Sequence, residues 1–246
     1  MSRKLLTLLR RRGGVPALAS YPGLVFLDEF TDGPIAAGSV DGTSVPDGSG
    51  IKRAITDTTT GKISITADGK LRIAAGGTSY GNPGCYWEEA DTTGIAFGAY
   101  FGLYMSITCP AKGLGQSGLN SDQFSAVEDP RFQFSNLHII GETTTNGDVN
   151  IVPNYSVNTT YDLMLFQRGA SSKFMFLLHN NGQVWDIKHT CDDNEASAQM
   201  FPVVGGGSFT LQIDALRVAV IDMSADFASD PFTGTETEVT LPFTLD

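Results

Sequence analysis

Phe174, Phe176 and Leu178 recur at every second position up to an Asn181-Gly182 pair, and Trp185 and Ile187 do so beyond it. Asn-Gly supplies the positive-φ positions of a tight hairpin turn, and a period of two puts every second side chain on one face. Phe174, Phe176 and Leu178 then share a face with Trp185 and Ile187, Trp185 lying opposite Leu178 and Ile187 opposite Phe176. A helix would scatter the same residues around its axis. The chain is committed to antiparallel strands here, and the commitment extends well beyond this segment.

A second hairpin runs from Ile63 to Ile73. A three-residue loop at 67–69 pairs Ile65 with Leu71 and Ile63 with Ile73, and gives Gly69 the left-handed position. Phe101, Leu103, Met105 and Ile107 alternate, as do Tyr161, Leu163 and Leu165; Leu216, Val218 and Val220; and Val239, Leu241 and Phe243. Leu24 to Leu27 opens the strands, and Asp32 to Gly50 reads as a long loop. Within 131–140 the apolar phase slips between Phe134 and Leu137, which a β-bulge near Ser135-Asn136 would repair. About a dozen strands with Gly-rich turns, no internal helix and no repeat predict an all-β antiparallel two-sheet jelly-roll sandwich. It covers residues 24–246, and residues 1–23 form a short basic N-terminal arm, helical or extended, with its linker.

Composition agrees. Charged residues make up only 17% of the chain and glycine 28 of 246, a poor supply for the wet faces of long helices. Hydrophobic residues at 41% suffice for a sizeable core. The formal charge of −11 is unevenly placed. Five of the 16 basic residues lie within the first twelve, leaving 11 against 27 acidic residues, a net of −16, for the body. Such a body repels a phosphate backbone, so nucleic acid is excluded as a partner of the main domain. No run approaches the ~18 apolar residues of a membrane span.

The arm has its own logic. Leu5, Leu8 and Leu9 share a helical face, flanked by Arg3 and Lys4 before them and Arg10, Arg11 and Arg12 after, with Gly13-Gly14 and Pro16 as stops. The apolar stretch from Leu5 to Leu9 is shorter than the ~7–15 residues of a secretion signal, so Ala17-Leu18-Ala19 is not read as a cleavage site. A helix this short is marginal alone in water. We read it as an assembly arm, ordered against a partner.

Signatures of chemistry are sparse. Nucleophile elbows, phosphate loops, zinc helices and dinucleotide fingerprints are absent, and no cofactor is implied. Cys85, Cys109 and Cys191 are widely spaced and read as buried thiols, not as a zinc site. Carboxylates cluster at Asp28-Glu29, Glu88-Glu89-Ala90-Asp91 and Asp192-Asp193-Asn194-Glu195. Glu89 and Asp91, two apart on a strand beside Trp87, have the spacing of a retaining glycosidase pair, although a strand-end position suits solvated acids as well. The Asp192–Glu195 run reads as an exposed acidic loop and not as a calcium site. Tyr80, Tyr86, Trp87 and Tyr104 are candidates for a sugar-stacking platform, with Glu89 and Asp91 as polar neighbours; the competing role for such rings is core.

Several segments resemble the concanavalin-like, or laminin-G-like, jelly-roll domains of bacteriophage virion proteins. They are Phe26-Leu-Asp-Glu-Phe-Thr-Asp32, Asp68-Gly-Lys-Leu-Arg-Ile73, Tyr161-Asp-Leu-Met-Leu-Phe-Gln-Arg168 feeding Phe174 to Leu178, and Leu211-Gln-Ile-Asp-Ala-Leu-Arg-Val218. The resemblance implies two curved antiparallel sheets and, in most phage examples, no catalysis. The Glu-x-Asp-x-x-Glu strand of the related glycoside hydrolases is missing. The expectation is a non-catalytic virion structural protein of tail, fibre or capsid surface, partnered by other virion proteins and copies of itself and able to touch host glycans. The alternatives are a free carbohydrate-binding module and, behind it, a glycosidase.

Overall fold

The computed structural model describes residues 14–245 apart from 57–60, 75–82, 90–92, 97, 121–129, 144–145, 170–172, 193–198, 206–210, 228 and 231. The arm residues Arg3 to Arg12, and Tyr80 and Asp91, therefore lie outside the described residues.

Two antiparallel sheets account for the strands. The larger has nine, in the order β17 (Glu238–Thr240), β14 (Val184–Cys191), β13 (Phe174–Asn181), β12 (Thr160–Arg168), β7 (Tyr100–Thr108), β16 (Ile213–Asp222), β4 (Leu71–Ile73) and β3 (Ile63–Ile65), with β1 (Leu24–Asp28) on the far half of β16. The smaller has eight: β11 (Val149–Val152), β10 (Ile139–Glu142), β9 (Arg131–Phe134), β8 (Gly115–Asn120), β15 (Gln199–Gly205), β5 (Gly84–Glu88) and β2 (Lys52–Ile55), with β6 (Ile95–Ala96) on β15. No α-helix occurs among the described residues; Leu18–Ser20 forms a single 3-10 turn. This is the jelly-roll sandwich that the alternation predicts, with more and shorter strands.

The 63–73 hairpin has the expected register: Ile63 faces Ile73, Ile65 faces Leu71, and Gly69 sits at φ +70°. The 174–187 hairpin is shifted. Trp185 pairs with His179 and Ile187 with Leu177, while Phe176 faces His189. The turn residues are Gly182-Gln183, and positive φ is needed only at Gly182 (+59°), the first central position. No bulge lies at Ser135-Asn136; the one register shift in this stretch falls between Ile139 and Ile140, against β11. Phe134 pairs with Ile139 across a turn in which Ser135 Oγ accepts from the amides of Leu137 and His138, so the slipped phase marks a chain reversal. The one bulge in β16 lies between Ala215 and Arg217, and Leu216 is half-buried instead of facing the core with Val218.

The sheets enclose a central core that includes Phe26, Phe30, Trp87, Phe101, Phe132, Phe134, Phe174 and Phe176. A second core covers the other face of the larger sheet. There Met164, Phe166, Met175, Leu177 and Trp185 pack against Leu18 and Tyr21 from one end of the chain and Val239, Leu241, Phe243 and Leu245 from the other. The two ends are joined: the Leu18 amide donates to Thr244 O (2.7 Å), the Thr244 amide to Pro16 O (3.0 Å), and the Tyr21 hydroxyl to Asp226. From Pro16 onward the linker is thus fastened to the folded body.

Candidate functional site

The paired acid Asp28 belongs to the interior. Its carboxylate accepts from Arg53 Nε (2.6 Å) and Nη2 (2.7 Å) and from the Trp87 indole N–H (2.9 Å). Arg53 also reaches Asp32 at 2.6 and 3.0 Å and lies over the Phe30 ring. Arg53 and Asp28 are fully buried. Burial works against the guanidinium's charge, but the hydrogen bonds and charges of Asp28 and Asp32 outweigh it and raise its pKa above the ordinary arginine value. Because Asp28 ends a strand of the larger sheet while Arg53 and Trp87 sit in the smaller, this ion pair rivets one sheet to the other. Glu29 points away and pairs with Arg217 at 3.1 Å. The two acids diverge and form no catalytic pair.

The proposed aromatic platform is also internal. Trp87 has no exposed surface and stacks on Phe26. Tyr104 is buried in the second core, donating to Asp162 at 2.7 Å. Tyr86 is fully buried in a small third cluster with Ala54, Phe201 and Val203. None of these rings presents a face to a sugar. Glu89 is exposed, and its amide donates to Thr93 O at a strand bridge. The three cysteines are buried and form no disulfide, as expected; burial raises the Cys109 thiol to about 12.

A cavity of about 430 Å³ opens between β1 and residues 46–49, lined by Leu24, Val25, Leu27, Glu29, Asp47 and Ser49. Its acids are spent locally: Asp47 accepts from the Leu27 and Ser49 amides, and Glu29 is ion-paired.

The outward face of the smaller sheet carries a set of polar side chains. Phe132 and Phe134 face the central core, so Arg131 and Gln133 between them point outward. Leu119 and Ser117 point inward with them, which turns Gln116 out. The registers align one cross-strand row: Asn150 opposite Ile140, Ile140 opposite Gln133, and Gln133 opposite Gln116. Three strand gaps make it about 14 Å long. Along it, burial grades from exposed Asn150, through half-buried Ile140 and Gln133, to buried Gln116. In the adjacent row Arg131 makes a bidentate pair with Glu142 (2.9 and 2.8 Å), so the charges cancel. Beyond β8 the same face carries Phe201, Val203 and Tyr86, which are buried. Glu88 and Lys52 face each other near the β2 edge, and burial together with nearby Asp41 raises the Glu88 carboxyl.

Gln116 is 6% exposed, and its Oε1 has no hydrogen-bond partner among the described residues. A buried amide oxygen left this way costs about 1–3 kcal/mol, which native folds ordinarily avoid. Neither Gln116 nor Gln133 stands out in the sequence as a site. The signal for Gln133 and Arg131 was the Phe132/Phe134 alternation; the Gly115-Gln-Ser-Gly118 stretch gives none for Gln116. No group of three or more metal-ligating side chains occurs among the described residues.

No family model matches the chain, and no curated protein matches it. Solved structures of similar architecture include alginate lyase AlgAT5 from Polysaccharide Lyase family 7 (10% identity, 66% of this chain, 82% of that one, TM-score 0.47). Others are the exoplasmic/lumenal domain of VIP36 in its Ca²⁺/Man2-bound form (7%, 82% and 90%, TM-score 0.47) and arcelin-5, a lectin-like defence protein of Phaseolus vulgaris (12%, 70% and 91%, TM-score 0.42).

Proposed function

We propose that the protein is a saccharide-binding jelly-roll module that presents the outward face of β8 to β11 to its ligand. The observation that carries this is the cross-strand row Asn150–Ile140–Gln133–Gln116 beside a neutralised Arg131–Glu142 pair. Amides donate and accept at once, as sugar hydroxyls do, and an apolar residue among them suits the C–H face of a ring. The test is retention on immobilised polysaccharides and glycan arrays. Gln133→Ala should weaken retention about tenfold while leaving the melting temperature within 2 °C or so, because a half-buried surface truncation costs ~0.5 kcal/mol or less. Unchanged retention would move the site elsewhere, and no retention on any saccharide would end the reading.

A second reading concerns the arm. We propose that residues 1–12 anchor this module in a larger particle, a virion tail, fibre or capsid surface, among other virion proteins and copies of itself. What favours it is the fastening of residues 16–18 to Thr244, which would pass any grip of the basic arm directly to the body. Deleting residues 1–14 should leave a folded β protein that no longer incorporates. Normal incorporation of the truncated form would refute the anchor.

A further inference from the structure

The groove beside β1 lies next to the root of the one segment whose chemistry complements it. We propose that the groove between β1 and residues 46–49 is the resting dock of the chain's own arm, with Leu5, Leu8 and Leu9 on its apolar floor and the arm's cations against its acids. This rests on the reading of residues 1–12 as a functional arm and says where that arm sits before it meets a partner.

The groove is a gap in the larger sheet. β1 pairs with β16 along one edge, and among the described residues no strand pairs with its other edge. There the Leu27 amide donates to the Asp47 carboxylate (2.7 Å) instead of to a neighbouring strand. Leu24 and Val25 are only half-buried, and with exposed Pro46 they give the groove apolar surface that gains by being covered. Charge is the second observation. Asp47 accepts from two amides, which satisfy its oxygens and leave its charge, and it forms no ion pair among the described residues. Glu29 meets Arg217 at 3.1 Å with the two side chains 40% and 41% exposed, and a pair so open to water yields readily to another guanidinium. Against these acids the arm brings Arg3, Lys4, Arg10, Arg11 and Arg12 on both flanks of its leucines. The third observation is position. Ala19 lines the groove, and the residue before it is fastened to the body, the Leu18 amide donating to Thr244 O at 2.7 Å. Gly14 is exposed, with nothing within 4 Å of where a Cβ would stand, and Val15 is 46% exposed, leaving room and apolar surface for a segment that turns back. Gly13-Gly14 supply the backbone freedom for that reversal. Ten residues span about 15 Å as a helix, close to the roughly 17 Å of β1. A tether this short gives an effective concentration of order millimolar, so a chain's own arm outcompetes a neighbour's.

Cysteine pairing in the full chain tests the dock. Thr7→Cys keeps every leucine, Ser49→Cys stands exposed in the groove lining, and the three native thiols are buried. Under mild oxidation of a dilute sample, Thr7→Cys/Ser49→Cys should close an intramolecular disulfide about tenfold faster than Thr7→Cys/Ser156→Cys, whose second thiol stands on an exposed loop outside the groove. Raising salt from about 20 to about 500 mM shortens the screening length from roughly 20 to roughly 4 Å and should slow the reaction severalfold. Adding Leu5→Ser, Leu8→Ser and Leu9→Ser should bring the rate down to that of the Ser156 control. Disulfide-linked dimers in place of the monomeric product would show that the groove takes a second copy's arm, and equal rates at positions 49 and 156 would show that it takes none; either result overturns the dock. Should Ser49→Cys not fold, Thr31→Cys, also exposed in the lining, carries the same comparison. The anchor reading is tested separately on the oxidised double variant, which should fail to incorporate into particles until it is reduced. Incorporation of the locked chain would remove the anchor and leave the dock standing.

Discussion

The larger sheet turns Met164, Phe166, Met175, Leu177 and Trp185 away from the central core and then buries them under both ends of its own chain. The smaller sheet, from β8 to β11, turns out Gln116, Gln133, Arg131 and Glu142 and leaves the row open toward Asn150. The same fold has thus closed one outer face with apolar mass and furnished the other with a row of hydrogen-bonding side chains. A face sealed from within adds stability through apolar burial; a face of polar side chains adds little and leaves hydrogen-bonding groups at the surface.

The comparison breaks most visibly if the seal is removed. Deleting residues 237–246 takes away Val239, Leu241, Phe243 and Leu245, each buried against the larger sheet. At roughly 1.5–3 kcal/mol per side chain the loss rivals the ~5–15 kcal/mol that holds a typical domain. The truncated chain should lack a cooperative thermal transition and aggregate on size-exclusion chromatography. A monodisperse product melting within a few degrees of the full chain would show that the C-terminal segment is a passenger.

Next in size is the rivet between the sheets. Arg53→Met leaves Asp28 in the interior without its cation, beside the Trp87 indole it accepts from, and frees Asp32 at the surface. Breaking such a buried pair costs about 3–5 kcal/mol, to be read as a shift of the urea midpoint. A loss below about 1 kcal/mol would mean that apolar packing alone holds the two layers together, and the contrast between faces would then owe nothing to how firmly they are joined.

These elements differ in how much of them the sequence discloses, and the reason is physical. The 63–73 hairpin is legible down to its register because alternation and turn chemistry agree, with Ile63, Ile65, Leu71 and Ile73 on one face only. The 174–187 hairpin is legible as a hairpin but not in register. Both of its faces are buried, so Met175, Leu177 and Trp185 on one side are as apolar as Phe174 and Phe176 on the other, and the pattern loses its phase. Trp87 reads equally as platform or core; only the fold brings Asp28 to its indole. Gln116 is the least legible. Its strand has the composition of a turn, and its pairing with β9 and β15 is imposed by neighbours whose own patterns are clear.

The smallest effects come from two glutamates, Glu88 on the outward face of the smaller sheet and Glu236 on the turn that leads into β17, and they should carry opposite signs. Glu236 accepts from the amides of Thr233, Gly234 and Thr235, which lowers its carboxyl to about 2. Its contribution is present above the ordinary carboxylate range and is lost as pH falls toward 2. Glu88 is raised instead, first by burial and then by Asp41. Its neutral form is the favoured one, so its contribution is full below about pH 4.5 and is lost as pH rises through its folded value. Glu236→Gln should therefore lower the melting temperature at pH 7, with the gap closing toward pH 2. Glu88→Gln should raise it at pH 7, with the gap closing below about pH 4.5. Melting curves of both variants across pH 2–8 decide the matter. Shifts of the same sign at pH 7 would mean that the charge of Glu88 is as welcome as that of Glu236, and that burial near the β2 edge imposes no electrostatic cost on the smaller sheet.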